Sequence, residues 1–230
     1  MSENHSTRTI RINGNPIIVQ GYKGTRPVPL IFQLAGLGIG EGDYDHFSGQ
    51  RWLDVGCGKG ELVEKLRGKG INAEGIDPLA PNGGHFMQNA IYAERPSPDS
   101  IPQEDETYEQ LVSFQNPVMN GAFDVDPTNN DLSRHFIGAS LRGTEADITQ
   151  EVGEIMLREM ARVVKPGGRI TLFPVLNRMA MVRPLLVELG LTAGIEECEN
   201  HRMVRQYYGW EKSNMAFNHS FYRTILEKAV

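Results

Sequence analysis

The sequence predicts an α/β fold: a doubly wound, Rossmann-like sheet of seven mainly parallel strands, the last one antiparallel, in a single main domain. Three observations carry this. A strand-like run, Arg51–Val55, enters a glycine-rich turn, an amphipathic run, and a second apolar run ending at Ile76. A long periodic stretch from Thr149 to Val164 ends on Lys165-Pro166-Gly167-Gly168 and leads into another strand-like run, Arg169–Phe173. The 230 residues, 40% hydrophobic and 23% charged, suffice for one such domain without disulfides or a structural metal.

The elements follow in chain order. Residues 1–48 read as an accessory segment or lid. Two β-prone runs flank Asn13-Gly14, the pattern of a hairpin, with Pro16 intruding on the second run. A short apolar run, Pro29–Leu37, precedes a loose glycine-containing stretch. The main domain spans residues 49–230. After the strand Arg51–Val55 and the turn Gly56–Gly60, residues Leu62, Val63 and Leu66 fall on one helical face, and Gly68 and Gly70 stop that helix. Ile71–Ile76 is the next strand, so the unit is βαβ, which implies parallel strands.

Residues 80–120 are longer than a crossover needs and are expected to be an insertion. Within them Tyr108–Phe114 reads as a helical run. Ala122–Asp126 and Arg134–Ser140 are strand candidates, the second supplying the fourth strand. The Thr149–Val164 helix places Val152, Ile155, Met156, Met160 and Val163 on one face. Val182–Leu189 is a helix closed by Gly190, and Thr192–Glu197 and Ser220–Leu226 complete the strands.

Glycine spacing narrows the ligand. Gly56, Gly58 and Gly60 give G-x-G-x-G, with Glu61 where a dinucleotide fingerprint needs its third glycine. No Gly-Lys-Ser/Thr follows, so a P-loop does not fit either. The glycines still let backbone approach a ligand at a helix N-terminus. Asp77, closing the second strand about twenty residues on, suits the two hydroxyls of a ribose. Asp54 precedes the loop. Together these point to an adenosine-bearing ligand with no phosphate on the loop.

Leu53-Asp54-Val55-Gly56-Cys57-Gly58-Lys59-Gly60 resembles the first motif of class I S-adenosylmethionine-dependent methyltransferases. Gly75-Ile76-Asp77-Pro78 resembles their acidic ribose-binding motif, and Leu157–Ile170 resembles the helix and turn before their fifth strand. The resemblance implies S-adenosyl-L-methionine as cofactor. It implies that Asp54, Val55, Gly56, Cys57, Gly58 and Gly60 hold the methionine portion and that Asp77 holds the ribose. Pro78 and Leu79 would flank the adenine. Asp124 or Asp126 would meet its amino group, and Ala139 and Ser140 would line the floor near the sulfonium. The Asn-Pro-Pro-Tyr type motif of nucleic-acid amino methylases is absent after Gly138.

The acceptor is less legible. Methyl transfer from a sulfonium needs alignment more than a fixed set of catalytic groups, and a base only where the nucleophile arrives protonated. His135, Asp147 and His201 are base candidates by residue type alone, and each reads better as an ordinary exposed or hydrogen-bonded polar residue. Cys57 reads as a packing residue. The formal net charge of −6 does not favour a phosphate backbone as partner, so a small-molecule acceptor is expected. A protein or RNA acceptor held by the basic and aromatic segment Arg202–Trp210, or a non-catalytic binding domain, are the alternatives. No His/Cys/Asp cluster has metal-ligand spacing. With no apolar leader, no membrane span and only Cys57 and Cys198, a cytoplasmic location is expected.

Overall fold

The computed structural model describes residues 5–12, 15–22, 30–57, 60–76, 101, 104–114, 150–173, 182–198 and 222–230. The N-terminal hairpin forms as expected, with β1 (His5–Ile12) antiparallel to β2 (Asn15–Tyr22). Pro16 pairs opposite Arg11 without ending the strand, because each strand of a two-stranded sheet has an open edge that needs no N–H. Helix α1 (Leu30–Leu37) takes up the apolar run that follows.

The main sheet holds six strands among the described residues, where seven were expected: β3 (Arg51–Val55), β4 (Asn72–Ile76), β5 (Tyr108–Phe114), β6 (Val164–Phe173), β7 (Leu191–Glu197) and β8 (Tyr222–Lys228). Their spatial order is β4-β3-β5-β6-β8-β7. β3 pairs parallel with β4 and β5, and β5 parallel with β6. Only β8, the last strand, runs against its neighbours.

Helices cover both faces. Leu62, Val63 and Leu66 of α2 (Glu61–Gly68) join a core with Leu37, Ile39, Tyr44, Trp52, Val112 and Phe173. Met156, Leu157, Met160 and Val163 of α3 (Gln150–Val163), with Leu185 and Leu186 of α4 (Arg183–Glu188), pack against Leu53, Val55, Leu111 and Ile170 on the other side. Adjacent strand residues such as Trp52 and Leu53 therefore feed opposite cores, as the two-residue strand period requires. Leu37, Ile39 and Tyr44 pack in the same core as α2.

One element is a correction. Tyr108–Phe114 is strand β5, not a helix. Leu111, Val112 and Ser113 are all buried, because the strand lies between β3 and β6 with helices on both faces. A strand buried on both sides loses the polar/apolar alternation that would identify it. Residues 108–114 are therefore central sheet. β5 lies directly beside β3.

The Lys165–Gly168 turn also differs in form. It is a bulge inside β6: Tyr108 faces Val164, and two residues later Gln110 faces Arg169. Gly167 takes a φ of +74° to make it.

Candidate active site

The four parallel strands β3, β4, β5 and β6 end along one edge of the sheet. From β3 the chain goes outward to β4, and the next strand among the described residues, β5, lies on the other side of β3. Such a reversal opens a crevice beyond the strand ends, the usual ligand position in open α/β sheets. The Gly56–Gly60 loop lies there, between the end of β3 and the start of α2.

Two glycines are required by backbone conformation. Gly56 has φ +87° and Gly60 φ +79°, both left-handed. Gly60 is the N-cap of α2, and its carbonyl accepts the Glu64 N–H at 2.9 Å. The loop is tied to the neighbouring strand: the Gly56 and Cys57 N–H groups both donate to the Ile76 carbonyl, at 2.8 and 3.1 Å. Ile76 ends β4, and Asp77 is the next residue in the chain. The start of the loop is therefore anchored to the end of β4.

Packing fixes the loop from below. The side chain of Cys57 occupies the space over Gly75. A β-carbon on Gly75 would lie 2.8 Å from both Cβ and Sγ of Cys57 and 2.9 Å from Cγ2 of Val63. On the other flank, the buried Ser113 hydroxyl of β5 donates to the Val55 carbonyl at 2.6 Å. This bond joins the ends of β3 and β5 at the mouth of the crevice. Asp54 is 4% exposed and in register with Gly75 on one side and Val112 on the other.

Of the residues expected from sequence, the structure brings together Asp54, Val55, Gly56, Cys57 and Gly60. Gly58, Asp77, Pro78, Leu79, Asp124, Asp126, His135, Ala139, Ser140, Asp147, His201 and the Arg202–Trp210 segment lie outside the described residues. Gly75 and Ser113 were not anticipated. A glycine inside a strand pattern signals close approach of a neighbour, and that was the available sign for Gly75. Ser113 had no sign while its strand was read as a helix.

Neither cysteine is set up as a nucleophile. Cys57 is 9% exposed and fills the space over Gly75. Cys198 is fully buried, and burial pushes its thiol up to about 11, so it is neutral at physiological pH. Among the described residues no group of three or more His, Cys, Asp or Glu could hold a metal ion. No helix among them is long and apolar enough to cross a membrane.

Comparison with known families matches residues 41–229 to the model of a methyltransferase domain. A search of curated proteins finds no match. Among solved structures, the chain is similar to an S-adenosylmethionine-dependent methyltransferase from Mesorhizobium loti, with 13% identity, 79% of this chain and 92% of that chain covered, and a TM-score of 0.48. It is also similar to a TehB-like S-adenosylmethionine-dependent methyltransferase from Corynebacterium glutamicum, with 16% identity, coverage of 86% and 93%, and a TM-score of 0.46.

Proposed function

The chain belongs to the methyltransferase domain family, and from that premise we propose that it transfers a methyl group from S-adenosyl-L-methionine to a small-molecule acceptor by in-line displacement. The observation that carries this reading is the pair of left-handed glycines, Gly56 and Gly60, at the sheet's reversal point, with the Gly56 and Cys57 N–H groups bonded to the residue before Asp77.

The residues fit such a cofactor. Gly56 and Cys57 have their N–H groups committed to Ile76, so they shape the loop and offer backbone acceptors to a methionyl ammonium. Gly58 and Gly60 carry no side chain, which lets the backbone on either side of Lys59 come close to a ligand. Asp54 and Val55 form the strand end beneath it. Asp77 takes the ribose hydroxyls, and Pro78 and Leu79 flank the base. When bound, the cofactor supplies a methyl group on positively charged sulfur. The chain's part is to hold an acceptor in line with that methyl and to keep water out, since water favours the charged ground state over a transition state in which that charge is dispersing.

The acidic balance of the chain supports a small acceptor over a nucleic-acid backbone. The two free, buried cysteines support a reducing, cytoplasmic setting. Calorimetry with S-adenosylmethionine tests the reading, with saturable heat at micromolar concentration expected. No heat at millimolar ligand would sink it.

A further inference from the structure

β7 is the outer strand of the main sheet, and among the described residues it pairs only with β8. Its inward and outward backbone groups can be told apart. Just before the strand, the Ala229 N–H donates to the Gly190 carbonyl at 2.7 Å. Gly190 and Ala229 are therefore a hydrogen-bonded pair of the antiparallel ladder, and such pairs recur at every second residue. Thr192, Gly194 and Glu196 accordingly bond to β8, while the N–H and C=O groups of Leu191, Ala193 and Ile195 point away from it. Among the described residues, nothing pairs with those outward groups.

The middle of the strand is bare on both faces as well. Thr192, Ala193, Gly194 and Ile195 are all exposed, Ile195 at 67%. Val187, on the helix α4 that packs against β7, is 71% exposed. Gly194 has open space above it, with no atom within 4 Å of where a β-carbon would be. The usual protections of a sheet edge are missing, since β7 holds no proline, no lysine and no bulge. Its two acidic residues stand together at one end. One of them, Glu196, is tied back to the body of the sheet by Arg169 Nη2 at 2.8 Å and Arg223 Nε at 3.0 Å. Ala193 to Ile195 thus form a neutral, uncovered stretch of edge.

We infer that this edge is a self-association surface, on which β7 of a second copy pairs antiparallel about a two-fold axis at Gly194. That axis makes Ala193 and Ile195 of the second copy a hydrogen-bonded pair, twice by symmetry, using the outward groups of both. The larger side chain meets the smaller one. Thr192 comes opposite Glu196 of the second copy, so a hydroxyl meets a carboxylate, and no two acidic residues lie opposite each other. An axis two residues further on would set the two Glu196 carboxylates face to face. β7 itself supplies every one of these complements, which favours a second copy over a foreign strand. The pairing makes one sheet continuous through both copies. Because the axis is normal to the sheet, the two glycine loops lie at opposite edges, and association covers neither. A single strand pair is small beside a permanent interface, so the dimer is expected to be reversible.

Sedimentation equilibrium of the full-length protein, from low to high micromolar concentration, tests the inference. The expected result is a rise from the mass of one chain to that of two, and no further. Ala193→Pro removes an outward N–H and leaves the bonds to β8 intact, so it should weaken association by about tenfold or more. Ile195→Lys, at an exposed position, supplies the missing edge charge and should do the same. Gly194→Val creates a β-branched pair across the axis and should tighten association several-fold. Circular dichroism of the variants at a concentration where each is monomeric checks that they fold. A one-chain mass throughout leaves the edge to a foreign strand and overturns the inference. A dimer indifferent to both Ala193→Pro and Ile195→Lys overturns it too, and one indifferent to Gly194→Val overturns its axis.

Discussion

The side chain of Cys57 sits where a β-carbon on Gly75 would have to go, with Cβ and Sγ both 2.8 Å from that position. One residue belongs to the glycine loop and the other to the neighbouring strand. The glycine of β4 therefore sets the height of the loop above the sheet. Gly75→Ala should destabilise the protein by about 1–3 kcal/mol through overpacking. It should weaken S-adenosylmethionine binding as well, because the loop has to lift. Urea denaturation and calorimetry measure the two effects. A stability loss with unchanged cofactor affinity would separate the loop from the ligand.

Asp77 gives the sharper test of the cofactor site. A carboxylate accepting from ribose hydroxyls contributes about 1.5–3 kcal/mol per bond, and 1.4 kcal/mol is about tenfold in affinity. Asp77→Ala should raise the Kd for S-adenosylmethionine by about tenfold or more, with little change in stability. Asp77→Asn should recover part of the loss. Equal affinity in all three proteins would remove the ribose from this position.

How far these residues were legible follows from the kind of signal each one carries. The β3–loop–α2–β4 unit was readable because its pattern is local: an apolar run, a glycine turn, and Leu62, Val63 and Leu66 at helical spacing. The helix read over Thr149–Val164 was found at Gln150–Val163 for the same reason. Tyr108–Phe114 was not readable. Burial of Leu111, Val112 and Ser113 together erases alternation, and seven residues of mixed polarity suit either periodicity. The role of Gly75 depends on Cys57, and that of Arg223 on Gly38 and Glu196. Those are contacts between elements, which no periodicity encodes.

Ser113 tests the strand that sequence misread. Its hydroxyl donates to the Val55 carbonyl at 2.6 Å in a buried setting. Ser113→Ala should cost about 1–2 kcal/mol of stability. It should also lower cofactor affinity modestly, because Val55 leads directly into the loop. Ser113→Thr should keep the hydrogen bond but crowd the buried position. Thermal denaturation and cofactor titration of both variants distinguish loss of the bond from loss of space.

A pH dependence follows from the opposite edge of the sheet. Burial raises the Glu109 carboxyl, but hydrogen bonds from the Lys165 ammonium and the Arg51 N–H outweigh it and hold the group below its ordinary value. A carboxyl depressed by folding adds stability that is fully present above its unfolded pKa, about 4.3 for glutamate. The contribution is lost as pH falls through that value toward the folded one. Urea midpoints between pH 6 and pH 3 should therefore drop less steeply for Glu109→Gln than for the natural chain. Parallel curves would assign the acid sensitivity to other carboxylates.

Gly38 and Gly49 form a matched pair for the last prediction. Both have left-handed backbone, with φ +71° and +80°. An alanine at either pays the left-handed strain, roughly 1–2 kcal/mol. At Gly49 nothing lies within 4 Å of the new carbon, so that strain is the whole effect. At Gly38 the carbon would also meet the Arg223 guanidinium at 2.2 Å. A long side chain can often swing away, but this one is buried and held at two nitrogens by Glu196. Gly38→Ala should therefore cost about 2–4 kcal/mol, strain and overpacking together. In combination with Arg223→Gln, which shortens the obstacle, the two losses should fall short of their sum by about 1 kcal/mol or more. Urea denaturation of the four proteins in this cycle measures the coupling. Strict additivity would mean that the guanidinium moves freely, and that its position against Gly38 is not fixed by Glu196.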